Sequence, residues 1–377
     1  KGPNSYTGED LVEFHTHGSN AVITAFTNVL ADFDNCRLAE PGEFTKLALQ
    51  NDKIDLLKAE SIGDLINAET ELQRKQAINF IQGHATDHYN NLREKIIKAL
   101  AYIEAKIDFA EEDLPDSVLK DVQNSIKEVH QEIKILLEDQ KIGEKIRDGF
   151  RVSIIGQVNA GKSSLLNLLA KKEAAIVSEE EGTTRDVIEV YLNIDGYPVI
   201  LSDTAGIRKT DSAIEKKGIT KAIERSKESD LNIIIIDNTS EKIDKEITDL
   251  INDNSIVVLN KSDLQNKTNH QFKTNKPILL SVKKNENIDH LISEIKSRLS
   301  KKFIAQNKTL ITRQRHRIKL QQALKDIDNY LNKGSKKEIE LAAEDLRLAT
   351  RNLGSIIGKV DIEEILGSIF KDFCIGK

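Results

Sequence analysis

The chain has 377 residues, 39% hydrophobic and 31% charged, with 5 proline and 19 glycine, a balance that excludes a collagen-like, membrane-spanning or wholly disordered protein and calls for two or three domains. Fifty-five Lys and Arg against 61 Asp and Glu leave a net charge of −6, so no broad basic field announces nucleic-acid binding and any RNA interaction is expected to be local. Two distant cysteines, Cys36 and Cys374, and no leading apolar segment predict a cytoplasmic protein without membrane attachment.

The chain opens without methionine on the turn-rich Gly2-Pro3-Asn4-Ser5-Tyr6-Thr7-Gly8, and is expected to begin inside a longer protein. Residues 1–51 mix short apolar runs with breaks such as Pro41-Gly42 and read as part of a small α+β domain. His15 and His17 form an H-x-H pair that is expected to cap or pack this segment, two ligands being too few for a metal. From 52 to 147 the pattern is helical. Leu92, Ile96, Leu100, Ile103 and Ile107 recur at three- and four-residue spacing, as do Val118, Val122, Ile126, Val129, Ile133 and Leu136, with Pro115-Asp116-Ser117 as break and N-cap between them.

Near residue 148 the period changes. Apolar or alternating runs at 152–155, 187–194, 199–201, 233–236, 256–259 and 278–280, separated by helical patterns, predict a mostly parallel sheet covered by helices over 148–300. Helix returns over 301–377, with stripes at Leu320, Leu324, Ile327 and Leu331 and at Ala342, Leu346, Ala349 and Leu353. Each helical stretch lacks a full set of partners, so the simplest architecture is an α/β P-loop domain inserted into an all-α helical domain.

Gly156-Gln157-Val158-Asn159-Ala160-Gly161-Lys162-Ser163 fits G-x-x-x-x-G-K-S between a strand and the helical run that begins at Ser164. Glycines let the backbone N–H groups curve around phosphates at a helix start, Lys162 reaches the β and γ oxygens, and the Ser163 hydroxyl suits Mg²⁺. Asp203-Thr204-Ala205-Gly206 follows the strand at 199–201, where Asp203 can approach Mg²⁺ through water and Gly206 can offer an N–H to the γ-phosphate. Asn260-Lys261-Ser262-Asp263 follows the strand at 256–259. The Asp263 carboxylate can accept the guanine N1–H and N2–H₂, which selects GTP over ATP, and Ser281-Val282-Lys283 can close over the base with a backbone N–H.

In this order, G-x-x-x-x-G-K-S, G-T-T-R-D, D-T-A-G and N-K-S-D resemble a translation-factor-class GTPase. With Ser5-Tyr6-Thr7-Gly8-Glu9-Asp10, Pro41-Gly42-Glu43-Phe44 and the terminal Phe373-Cys374-Ile375-Gly376-Lys377, the whole chain resembles the MnmE (TrmE) family of tRNA-modification GTPases. The resemblance implies that residues 1–51 are part of a folate-binding and dimerisation domain. It implies GTP hydrolysis in support of wobble-uridine modification of tRNA with the flavoprotein MnmG, formyl-tetrahydrofolate as one-carbon donor, and a homodimer in the full-length protein.

Ile207 stands where many GTPases carry a water-orienting glutamine. The resemblance places that role on Glu215, twelve residues after Asp203. It further implies a potassium ion held by Asn159 and by the segment of Ser178, Glu180 and Thr183, Mg²⁺ ligation by Thr184 in the triphosphate state, and Arg185 and Arg208 in the switch segments. Cys374 alone reads as a small core residue, and the resemblance gives it a part in tRNA modification. Two other readings stay open at this stage, a ribosome-assembly-type GTPase and a nucleotide-dependent interaction switch with little turnover.

Overall fold

The computed structural model describes residues 1–108, 116–173, 188–203, 224, 226–264, 272, 276–304, 309–333 and 339–359, with backbone alone at 116–119, 188, 203 and 302–304. The chain divides into two units, one made of 69–73 and 142–312, the other of 1–68, 74–141 and 313 onward. The helices are α1 (Asn20–Ala31), α2 (Glu43–Gln50), α3 (Leu56–Ile66), α4 (Glu71–Ile81), α5 (His84–Asp108), α6 (Asp116–Leu137), α7 (Ile142–Asp148), α8 (Lys162–Lys172), α9 (Lys245–Thr248), α10 (Ile288–Ile304), α11 (Gln314–Asn332) and α12 (Ile339–Ile357). The strands are β1 (Phe150–Gly156), β2 (Ile188–Ile194), β3 (Tyr197–Asp203), β4 (Leu231–Asp237), β5 (Ser255–Asn260) and β6 (Ile278–Leu279). No helix among the described residues is long and apolar enough to cross a membrane.

The six strands form one sheet in the order β2-β3-β1-β4-β5-β6. β1 runs parallel to β3 and β4, β4 to β5, and β5 to β6, which the unbroken apolar runs require of strands covered on both faces. β2 is antiparallel to β3. The cause is local: Ile194 faces Tyr197 across Asp195-Gly196, both at positive φ (48° and 92°), the backbone that a two-residue hairpin turn needs. Val152, Ile154, Leu201, Leu231, Ile233, Ile235, Ile256 and Val258 fill the centre, and Leu165, Leu169, Leu291, Ile295 and Leu299 from α8 and α10 pack into the same core.

In the other unit the helical stripes are buried as their spacing predicts. α5 buries Leu92, Ile96 and Ile103, and α6 buries Val122, Ile126, Val129 and Ile133. Leu100, Ile107, Leu136, Leu324 and Leu331 are half-buried at the edges of their stripes. On α12, Ala342, Ala343, Ala349 and Gly354 keep the buried face narrow, allowing neighbouring helices to approach closely. Residues 1–51 carry α1, with no buried residue, and α2, which is tied down by Tyr6 Oη to Thr45 Oγ1 at 2.9 Å and by Asn51 Nδ2 to Thr7 O at 2.8 Å.

A charged cluster lies inside this helical unit. Glu60 on α3, 2% exposed, accepts two hydrogen bonds from Arg315 (2.6 and 2.7 Å) and faces His316 Nε2 at 3.0 Å. Arg313 lies 3.3 Å from the same carboxylate and pairs with Asp64 at 2.7 Å. Arg315 also donates to the carbonyls of Ser355 and Ile356, which lie in the unsatisfied last turn of α12. Two carboxylates already balance two guanidinium groups, so a third positive charge has no counter-ion. Burial, and then Arg315, push His316 down to about 4 against the pull of Glu60. Its buried Nδ1 has no partner, so protonation would put an N–H where nothing accepts it.

His316 thus has a folded-state pKa below its unfolded value of about 6.5, and its contribution to stability is present above that pH and lost as pH falls through about 4. We expect the thermal midpoint to drop across that window, and His316→Gln to flatten the slope there. Glu60→Ala, which strands Arg315 without its partner, should lower the urea unfolding free energy by about 3–5 kcal/mol.

Candidate functional site

The C-terminal edge of the parallel strands is where chain reversals leave room for a ligand. β1 ends at Gly156 and α8 begins at Lys162, and the loop between them carries two backbone requirements. Gly161 sits at φ +102°, and a Cβ there would come within 2.3 Å of Asn260 Nδ2, so both conformation and space demand glycine. A Cβ on Gly156 would meet the Ile235 carbonyl at 2.1 Å, so close packing of β1 on β4 excludes any side chain. Ser163 and Ser164 are exposed in the first turn of α8, at the positive end of the helix dipole. Ala160 is fully buried and Asn159 is exposed at φ +62°.

Lys162 is 9% exposed, and its ammonium donates to the carbonyls of Gly156 at 2.9 Å and Gln157 at 2.7 Å. A cation is therefore folded beneath a loop shaped for an anion, and a phosphate group offers it stronger, charged acceptors.

Asn260, the last residue of β5, is 3% exposed and ties three strand ends together. Its Nδ2 donates to the Ala160 carbonyl at 2.8 Å, its Oδ1 accepts from Val282 N at 3.1 Å, and its own carbonyl accepts from Asn238 N at 2.9 Å. The side chain thus holds the loops that surround the site. Asp263 stands at the mouth, where Ser281 Oγ donates to its Oδ1 at 2.7 Å. That bond, with burial opposing, holds the Asp263 carboxyl below the usual carboxylate range. Each carboxylate oxygen has two lone pairs, so the pair can still accept two N–H groups side by side. Ser281 is fully buried in a loop closed by reciprocal backbone bonds with Glu286, while Val282 is half-buried and Lys283 is exposed.

β3 brings the backbone of Asp203 beside Ile154 of β1. The Asp203 side chain lies outside the described atoms. Thr184, Gly206, Glu215, Ser178, Glu180, Thr183 and Cys374 lie outside the described residues, as do Ile207, Arg185 and Arg208. Of the expected metal ligands, the exposed Ser163 hydroxyl is a hard oxygen donor of the kind that shares Mg²⁺ with phosphate oxygens, and the Asn159 amide is an oxygen donor of the kind that suits a monovalent cation.

Two residues that motif reading passes over belong to this edge. Asp237 accepts from Lys261 Nζ at 2.5 Å, and Thr239 donates to Asp237 through both its backbone N–H and its hydroxyl. The available signal was an acidic residue closing the apolar run Ile233 to Ile236 of β4, on the strand next to Asn260.

A family model described as the MnmE helical domain matches residues 56–374, and one described as the GTP-binding protein TrmE N-terminus matches residues 1–53. Over 377 residues the chain is 57% identical to a tRNA modification GTPase MnmE from Pelagibacter ubique and 43% identical to one from Paramagnetospirillum magneticum, covering 100% of this chain and 85% of each relative. Among solved structures it is similar to the G domain of the T. maritima FeoB iron transporter, with 20% identity and a TM-score of 0.26 over 42% of this chain and 99% of that one. That likeness carries no weight beside the sequence relatives.

Asn260→Ala removes both side-chain bonds and leaves the buried Ala160 carbonyl and the half-buried Val282 N–H without their partner. Unfolding in urea, followed by circular dichroism, should show a loss of about 2 kcal/mol from these two bonds.

Proposed function

The chain belongs to the MnmE family of tRNA modification GTPases, and from that premise we propose that it hydrolyses GTP to GDP and phosphate in support of wobble-uridine modification of tRNA, acting with the flavoprotein MnmG. The observation that carries the site assignment is Asn260, whose amide joins the phosphate loop and the base-reading loop into one hydrogen-bonded edge. Asp263, preset by Ser281, accepts the guanine N1–H and N2–H₂. The start of α8 receives the phosphates, and Lys162 exchanges its two loop carbonyls for the β and γ oxygens.

In the chemical step a water attacks the γ-phosphorus as the bond to the β–γ bridging oxygen breaks. Mg²⁺, held by Ser163 and Thr184, would neutralise charge on the phosphate oxygens, and K⁺, held by Asn159 with Ser178, Glu180 and Thr183, would do so where other GTPases use an arginine. Glu215 orients the water, the task that Ile207 cannot perform. Formyl-tetrahydrofolate, a homodimer, and a part for Cys374 in the tRNA chemistry complete the reading, each supported by family membership.

Asp263→Asn should weaken GTP and favour xanthine nucleotides, whose 2-oxo group accepts from the new amide. Equilibrium binding of GTP and XTP tests this, and unchanged GTP affinity would remove the guanine assignment. Glu215→Ala should retain GTP affinity while kcat falls by about 10²–10⁴, the range for loss of a positioned acid–base group. Steady-state hydrolysis in KCl and in NaCl measures both the Glu215 effect and the potassium response of the unaltered chain. Turnover by Glu215→Ala equal to the unaltered chain in KCl would take the residue out of the mechanism.

A further inference from the structure

The end of β4 supplies a side chain that no nucleotide motif contains. Asp237 sits opposite Asn260 in the parallel register, so it lies on the strand next to the residue that precedes Lys261. Its two oxygens have separate tasks. Oδ1 accepts from Thr239 N at 2.9 Å and Thr239 Oγ1 at 2.7 Å, shaping the turn that leaves the strand, while Oδ2 accepts from Lys261 Nζ at 2.5 Å.

Lys261 is at φ +64°, and its side chain spans from the end of β5 back to the end of β4. The pair is partly sheltered, the lysine side chain 34% exposed and the aspartate 19%, so water does not fully screen it. A lysine stem has several rotatable bonds and loses its rotamer freedom when held. Here that ordering is in place before any ligand arrives. On the opposite flank of the same loop, Ser281 holds Asp263. Between these two anchors the four-carbon stem of Lys261 presents an apolar surface of the kind on which an aromatic ring packs.

We propose that Asp237 is a positioning residue for guanine. By pinning the Lys261 ammonium over β4, it prearranges the lysine stem as the wall against which the purine lies while Asp263 reads the edge of the base. The inference rests on the GTP reading above and adds to it a residue outside every motif.

Asp237→Asn separates the two tasks, because the amide keeps an oxygen for Thr239 but turns an N–H₂ toward the lysine. For the full chain, the dissociation constant of fluorescent mant-GDP is measured in Asp237→Asn, Lys261→Met, the double variant and Asp263→Asn. A hydrogen bond to a charged group predicts about tenfold weaker binding in Asp237→Asn. The same loss is expected in Lys261→Met, with no further loss in the double variant. The KM for GTP should rise by a matching factor, with kcat changing far less. Unchanged affinity in Asp237→Asn, or losses that multiply in the double variant, would overturn the positioning role. If Asp263→Asn weakens binding and Asp237→Asn does not, that role alone fails. If Asp263→Asn also binds mant-GDP as the unaltered chain does, the guanine reading fails and this inference with it.

Discussion

A single buried amide organises the C-terminal edge of the sheet. Asn260 uses its N–H₂ on the Ala160 carbonyl and its oxygen on the Val282 N–H, so two loops separated by more than a hundred residues share one side chain. Replacing it by aspartate would remove the donor, and leucine would remove both partners, which is why an amide of this length suits the position. The glycine requirement at residue 161 follows from the same contact, since Asn260 Nδ2 occupies the space that a Cβ would need. The loop between β1 and α8 is therefore shaped from outside as much as by its own sequence.

The helical unit relies on a different kind of constraint. Glu60, Arg313, Arg315, His316 and Asp64 form a balanced set of charges and dipoles brought together from α3 and the segment entering α11. Such a set contributes little net stability when complete and costs a great deal when one member is removed. What it supplies is register: Arg315 reaches the Ser355 and Ile356 carbonyls only when α12 ends where it does. The apolar stripes of α11 and α12 leave sliding along the helix axes less restricted, and the charges restrict it.

Much of this was legible in the residues. Helical stripes and apolar runs located the elements, and the motif at 156–163 placed the strand–loop–helix because glycine, lysine and serine at those spacings have few other uses. The antiparallel β2 was less apparent. Its signal, Asp195-Gly196 between two alternating runs, is a hairpin turn that a reading for parallel strands passes over. Glu60 could not have been found, since an isolated glutamate in an amphipathic helix ordinarily faces water and its partners lie some 250 residues away. Asp237 was hidden for a similar reason: its partner is fixed by strand adjacency rather than by spacing along the chain.

The helical unit is interrupted between residues 141 and 313. On a ribosome adding roughly 5–20 residues per second, the inserted segment takes on the order of 10–30 seconds to emerge. During that interval α5 and α6 exist without α11 and α12, their buried faces open to water or to a chaperone. The α/β unit needs only the short 69–73 strip from outside its own span, and that strip is made first. Synthesis order thus favours a folded α/β unit hanging from a half-made bundle, and Glu60 waits for its arginines until the last fifth of the chain is translated.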